Sequence, residues 1–491
     1  MKNPLALTIL ILVSLGTIAH ATEADDTVVT VTNKNPGATP FISKVTLNLS
    51  RLRVLRRIEF VITPKSGSVT RPVSATYTKN YLGRRGYLHP KRREIIVPVF
   101  GLYAGYTNEV VLSYFFSDGS SKKDRIMIAT QPFNDACDYN TPTVFKPRTS
   151  TTKLSFDFIL IVSSCSRNSP TVIDSDGEVR WVGTADVQAH QARGFHRGVY
   201  IMDGTKLVRM ELDGEVRVVA DYASVGVNAF HHNIDPGKRG MILDANLLDG
   251  LHLEVDYAGQ ILKRWSLREI IRNAMIAGGD DPSGFVKTPS VPFAKDDDWT
   301  HNNSVAYRKS DNSITFSSRE NFVICLDYET NAIKWILGDK TKLWYQYPSL
   351  RKFALSLAPG SIAPAGQHTV AFTRDNRLLL FDNGTNSDHH TPAGVSRPYS
   401  AARKYELDLG ARVATEVWNF TYNQAVKAPY CSSVYEDASN NYLVNYSNAR
   451  GFARILALTA SGQMVFEYAY PADGCNDGYR SLPIHWENLK F

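Results

Sequence analysis

Between Val28 and Thr130 apolar and polar residues alternate in short runs: KVTLNLS, RIEFVITP, REIIVPVFGLY, EVVLSYFFSDG and DRIMIAT. A period of two gives each strand one apolar face. Pro and Gly clusters break the runs roughly every ten residues, which predicts a small antiparallel β-sandwich over residues 28–135. A stretch rich in Pro, Asn and Asp, from Gln131 to Arg148, follows as a boundary.

Beyond it one phrase recurs: a short strand, a turn carrying Asp and Gly or their substitutes, and a second strand ending on an aromatic or apolar residue. The copies are TVIDSDGEVRWVG, LVRMELDGEVRVVA, LHLEVDYAGQILKRW, FVICLDYETNAIKWIL, ARKYELDLGARVATEVW and RILALTASGQMVFEY. Each is a tight hairpin by its turn chemistry, and a second hairpin precedes most of them. Six units of four strands predict an all-β fold in which a six-bladed β-propeller, residues 149–491, follows the N-terminal sandwich. The units are longer than compact propeller repeats because of insertions. One, SLREIIRNAMIAGG, opens with the capping-box pair Ser266 and Glu269 and reads as a helix. Another, residues 339–366, reads as a long loop.

The first residues change the picture of where the chain works. Lys2, an apolar run from Leu5 to Ala19 and the small-residue pattern Ala19-His20-Ala21 predict a secretory signal over residues 1–21, cleaved to leave a periplasmic protein. The run is shorter than the roughly 20 residues a spanning helix needs, so no membrane insertion of the mature chain is expected.

Charge excludes more than it suggests. A net charge of +7 arises from basic residues interspersed with acidic ones, whereas nucleic acid calls for a concentrated basic face. No nucleic-acid partner is expected. The five cysteines, Cys137, Cys165, Cys325, Cys431 and Cys475, form no CxxC or zinc spacing. An odd count leaves at least one thiol free, and Cys325, inside FVICLDY, is the expected buried one.

Candidate chemistry lies in the hairpins that precede the Asp-turn units: FHHNIDPGKRGMILDAN, DWTHNNSVAYRKSDNSITFSSR, GQHTVAFTRDNRLLLFDNG and YCSSVYEDASNNYLVNYSN. Matched positions in successive blades converge on one channel, so His232, His301, His368 and the Ser432-Ser433 pair are expected around one mouth of it. Arg319 ends the strand that returns beside His301, and antiparallel pairing brings it to the same mouth. Adjacent side chains on a strand point to opposite faces, so only one of His231 and His232 should face the channel, and repeat alignment picks His232. His389 and His390 read as solvated loop residues. His190, His196, His252 and His485 have no matched position. Asn383 opens one of several Asn-x-Ser/Thr sites, which matter only in a eukaryotic secretory pathway. No GxSxG elbow, P-loop, HExxH or dinucleotide glycine fingerprint is present.

The strings DWTHNNSVAYRKSDNSITFSSR with KWILGD, QHTVAFTRDNRLLLFDNG and VPVFGLYAGYTNEV resemble the bacterial exported arylsulfate sulfotransferases, from about residue 30 to the C-terminus. The resemblance implies a six-bladed propeller behind a β-sandwich, a homodimer, and transfer of a sulfuryl group from an aryl sulfate donor to a phenolic acceptor without cofactor or metal. It implies that His368, in the QHT string, is transiently sulfated, with His232, His301 and Arg319 assisting. Members often carry a close cysteine pair before the QHT string. Residues 339–366 contain no cysteine, so that pair does not carry over.

Such residues suit the chemistry. Sulfuryl transfer, like phosphoryl transfer, has a loose transition state with charge on equatorial oxygens and the departing phenolate. A neutral imidazole can attack sulfur, an arginine fork can hold its oxygens, and further histidines can bind oxygens or move the phenolic proton. The alternative is a metal-dependent lyase or hydrolase with the channel histidines as ligands. Against it stand the lack of a carboxylate at a matched blade position and the charge of Arg319. A non-catalytic propeller that binds partners on its faces is a third class, and the clustered histidines weigh against it.

Overall fold

The computed structural model describes residues 21–188, 191–245, 250–287 and 297–491. The expected signal, residues 1–21, lies outside them apart from Ala21, as does His190. The described chain is all-β with short helices. The expected insertion helix runs Leu267–Ala277, and the Ser266 side chain caps it by accepting the Glu269 N–H. No helix among the described residues is long and apolar enough to cross a membrane.

The N-terminal strands form two sheets. One contains Val29–Pro36, Ile42–Leu49, Glu94–Phe100 and Leu88–His89; the other contains Val73–Thr78, Leu55–Ile62, Thr107–Phe116 and Ser121–Ala129. Their inward positions, among them Val45, Leu47, Ile58, Phe60, Val97 and Leu112, are fully buried. The last residues of the chain return here, since Leu489–Lys490 pairs in parallel with Ala75 and Thr76.

Six sheets follow, each built on four antiparallel strands; the fifth gains Ser356–Leu357, paired in parallel, and the sixth gains Thr143–Lys146 at its outer edge. Each recurring Asp-turn phrase is the outer hairpin of one sheet. The shared Asp is explained by the turns themselves. Asp174 Oδ1 accepts the N–H groups of Asp176 and Glu178 at 3.1 and 3.0 Å, and Asp256 Oδ1 those of Ala258 and Gln260 at 2.9 and 2.8 Å. Gly177, Gly214 and Gly259 sit at φ 89° in these turns, a conformation that a Cβ would strain. The aromatic that ends the phrase packs between neighbouring sheets. Trp181, Trp265 and Trp335 are almost fully buried, and truncating one to alanine would cost about 3–5 kcal/mol.

The first strands of sheets three to six are Phe230–Pro236, Asn302–Arg308, His368–Phe372 and Ser433–Asp437. Polar side chains tie each to the next. Asn233 Nδ2 donates to Asn303 O (2.7 Å), Asn303 Nδ2 to Gln367 O (2.8 Å), Thr369 Oγ1 to Ser432 O (3.0 Å) and Ser433 Oγ to Ser481 O (3.3 Å). Ser481 lies on Arg480–Ile484, which pairs with Phe158–Val162, so a strand near the C-terminus completes the first of the six sheets. Disulfides join Cys137 to Cys165 and Cys431 to Cys475, and Cys325 is the buried free thiol among the described residues.

Candidate functional site

Each inner hairpin of sheets three, four and five is irregular where its histidine stands. The pairing register shifts between Phe230 and Ile234, between Asn302 and Ser304, and between His368 and Ala371. His301 and Thr369 have positive φ, as do Cys431 and Ser432 at the entry to the sixth sheet. Bulges re-aim side chains, and here they gather three strand beginnings into one buried cluster.

His232 and His301 meet directly, Nε2 to Nε2 at 2.9 Å. The His232 ring lies 6.1 Å from that of His368 and stacks on Tyr479 at 5.3 Å. The bulge also overturns the alternation expected of His231 and His232. His231 packs on His232 at 3.7 Å and on His301 at 4.9 Å, centroid to centroid, so both neighbours reach the cluster.

The second strand of each hairpin supplies a partner to the histidine beside it. Asp244, near the end of Met241–Ala245, accepts the His232 N–H at 3.2 Å and stands 3.5 Å from His231 Nδ1. The Arg319 N–H donates to His301 O at 3.1 Å, so the predicted return of Arg319 beside His301 is observed. Asn383, just beyond Leu378–Asp382, meets His368 Nδ1 at 2.8 Å.

The Asn383 contact fixes a proton. Its Nδ2 donates to Ala428 O (2.8 Å) and Cys431 O (3.0 Å), so Oδ1 is the atom that faces His368 and can only accept. His368 Nδ1 therefore carries the hydrogen, and Gly366 O at 3.2 Å is a second acceptor for it. The lone pair is left on Nε2, which accepts the Cys431 N–H at 3.2 Å. Burial, and after it the charge of neighbouring His301, hold the His368 pKa well below 6.5, so the imidazole is neutral at pH 7.

His301 is oriented in the same manner. Its Nδ1 is hydrogen-bonded to Asp298 Oδ2, and its N–H donates to Asp298 Oδ1 at 3.1 Å. Burial pushes the Asp298 carboxyl up to about 7 and holds His301 well below 6.5.

Arg319 is buried and doubly paired. One arm of its guanidinium meets Glu320, the other Asp388 at 2.5 Å, and the group lies 4.6 Å over the Tyr430 ring. Glu320 also accepts from Ser387 Oγ (2.5 Å) and the Asp388 N–H (2.7 Å). Burial alone would raise Glu320, but Arg319, Ser387 and Lys342 outweigh it and keep its pKa below the usual value. Lys342 caps Arg319 O and Glu320 O at 3.2 and 2.9 Å, and burial draws its amine down to about 8.

All four residues singled out from the sequence, His232, His301, His368 and Arg319, thus share one region, and the charge of Arg319 bears on both His301 and His368. The serine pair does not join them as reactive groups. Ser432 Oγ accepts the Ser447 N–H at 2.9 Å and Ser433 Oγ bonds Ser481 O. His390, expected in solvent, is buried against Phe285 with its Nε2 3.2 Å from Trp299 O, because Ser387 and Glu320 fold its loop inward. Sequence reasoning missed Asp298, Glu320, Asn383 and Asp388. Asn383 was within its reach, since it relates to His368 as Arg319 does to His301.

Comparison with known proteins gives two family matches, an arylsulfotransferase (ASST) over residues 141–480 and an arylsulfotransferase Ig-like domain over residues 49–131. Among curated proteins, the arylsulfate sulfotransferase AssT of Escherichia coli O6:H1 is 22% identical over 343 residues, 57% of each chain. The protein of that name from Lelliottia amnigena is 23% identical over 313 residues, 51% of this chain and 52% of its own. The chain thus spans little more than half the length of these relatives. Among solved structures, the β-propeller domain of Cps50 (Swd1) from Myceliophteria_thermophila aligns with 66% of this chain and 88% of its own at 12% identity, with a TM-score of 0.36.

Proposed function

Because the chain belongs to the arylsulfotransferase family, we propose that it transfers a sulfuryl group from an aryl sulfate donor to a phenolic acceptor through a sulfohistidine on His368. The observation that carries this reading is the fixed tautomer. A buried neutral imidazole with one lone pair, on Nε2, is a nucleophile in a single orientation.

Attack by Nε2 on sulfur breaks the S–O(aryl) bond and leaves the sulfuryl group on nitrogen and an aryloxide to depart. The Cys431 N–H must give up the lone pair for this, and it then faces the new sulfuryl group. Arg319 neutralises sulfuryl oxygens. Asp388, whose side chain is 35% exposed against none of Glu320, is the carboxylate that substrate exchanges for. The His232–His301 pair delivers a proton to the aryloxide and takes one from the acceptor phenol, whose oxygen then attacks sulfur and restores His368. No cofactor enters either step.

On this reading the six sheets are the blades of one six-bladed propeller over residues 149–491, which follows a sandwich over residues 28–135. The leader read in residues 1–21 sends the mature chain to the periplasm, and the two disulfides suit that oxidising compartment. Its partners are the small donor and acceptor and a second copy of the chain. Initial rates over a matrix of donor and acceptor concentrations, with chelator present and no nucleotide sulfate, test the reading. Parallel double-reciprocal lines are expected; intersecting lines, or activity that chelation abolishes, would contradict it.

A further inference from the structure

Among the described residues, His231, His232 and His301 each place one ring nitrogen within 4.8 Å of the others. Tetrahedral zinc with bonds of about 2.0–2.1 Å needs nitrogens about 3.3 Å apart. The Nε2 atoms of His232 and His301 already stand 2.9 Å from each other, so His231 has the small adjustment to make. A carboxylate backs one of the three rings, Asp298 hydrogen-bonded to His301 Nδ1, and that of Asp244 stands 3.5 Å from His231 Nδ1. A carboxylate behind a histidine orients the ring toward a metal and raises its basicity. The charge of Arg319, which weighed against a metal in the sequence, is spent on Glu320 and Asp388. Three imidazoles with outer carboxylates and no thiolate suit a borderline divalent ion and leave a fourth position open.

We propose that His231, His232 and His301 form a binding site for Zn²⁺ whose occupation inhibits the enzyme. Zinc takes the lone pairs of His232 and His301 and replaces the proton they share, so neither can serve the phenol oxygen. The inhibitory half rests on the function proposed above; the metal site does not.

The test uses the full chain, stripped with chelator and titrated with Zn²⁺ alone against a chromophoric chelator, with Co²⁺ absorption reporting geometry. One equivalent should bind, with the intense visible bands of a tetrahedral site. His231→Gln and His301→Gln should each weaken binding at least ~10²-fold, and Asp298→Asn about 10- to 100-fold. His485→Gln, at the exposed histidine paired with Asp437, should leave it unchanged. Unchanged circular dichroism would show that the variants fold. Absence of stoichiometric binding, or binding that survives both His231→Gln and His301→Gln, would overturn the site. Turnover of an aryl sulfate with acceptor should fall as zinc fills the site and return on chelation. Full turnover at saturating zinc would overturn the inhibitory half. A metal-free protein that binds zinc but turns over no aryl sulfate would instead refute the proposed function and leave the site standing.

Discussion

Replacing Asn383 with leucine removes the group that sets the His368 tautomer while keeping the side chain's volume close. Three hydrogen bonds disappear: the one from His368 Nδ1 at 2.8 Å and the two from Nδ2 to Ala428 O and Cys431 O. All are fully buried. Ala428 O keeps the Ser400 Oγ–H at 3.0 Å, whereas Cys431 O is orphaned; a buried group left unpaired costs about 1–3 kcal/mol, and a stability loss of that size is predicted. For the chemistry, losing up to ~3 kcal/mol of preference for the Nδ1–H form corresponds to at most ~10²-fold in rate. Gly366 O, 3.2 Å from Nδ1, still accepts and softens the loss. The expected outcome is a 10- to 100-fold slower burst of phenol on mixing enzyme with a chromogenic aryl sulfate, by roughly 1.4 kcal/mol per decade. Asn383→Asp, which keeps an acceptor facing Nδ1, should stay within about tenfold of wild type on the same scale. A folded Asn383→Leu protein with a wild-type burst rate would refute the tautomer argument.

Further outcomes follow from the same geometry. His232→Ala, His301→Ala and Arg319→Ala should each lower turnover by roughly 10² or more with the fold intact, and near-normal kinetics in any one would remove that residue from the site. The donor half-reaction should show a basic limb near pH 7, because the Asp298 carboxyl, raised by burial to about 7, supplies through His301 the proton that the pair gives to the aryloxide, and it holds that proton below about pH 7. Its rate should fall as pH rises through 7, and Asp298→Asn should abolish that limb. The limb from His368 itself must then lie below pH 6.5, where burial has displaced it. An unchanged limb in Asp298→Asn would assign the titration to another group.

What the sequence made legible was what short-range chemistry encodes. Five of the six phrases fold as outer hairpins around an Asp side chain that caps its own turn through backbone N–H groups two to four residues on, and Thr459 takes that place in the sixth. The insertion helix was legible for the same reason, through Ser266 and Glu269. Four site residues could be chosen because matched positions in repeated hairpins converge in space. His231 was misjudged because a bulge breaks the two-residue period, and nothing in FHHNID marks the bulge. His390 was misjudged because its burial depends on Glu320, which is far away in sequence and draws in Ser387. Asp298 and Asp388 work across irregular backbone, which carries no period to read.

The central claim, that His368 carries the sulfuryl group, is tested by trapping it. The protein is exposed to an aryl sulfate without acceptor and digested under alkaline conditions, which spare the acid-labile N–S bond. The peptide containing His368 should gain the mass of one sulfuryl group, and His368→Ala should show neither the adduct nor the burst. A stoichiometric burst from His368→Ala, or an adduct on His232 or His301, would contradict the account.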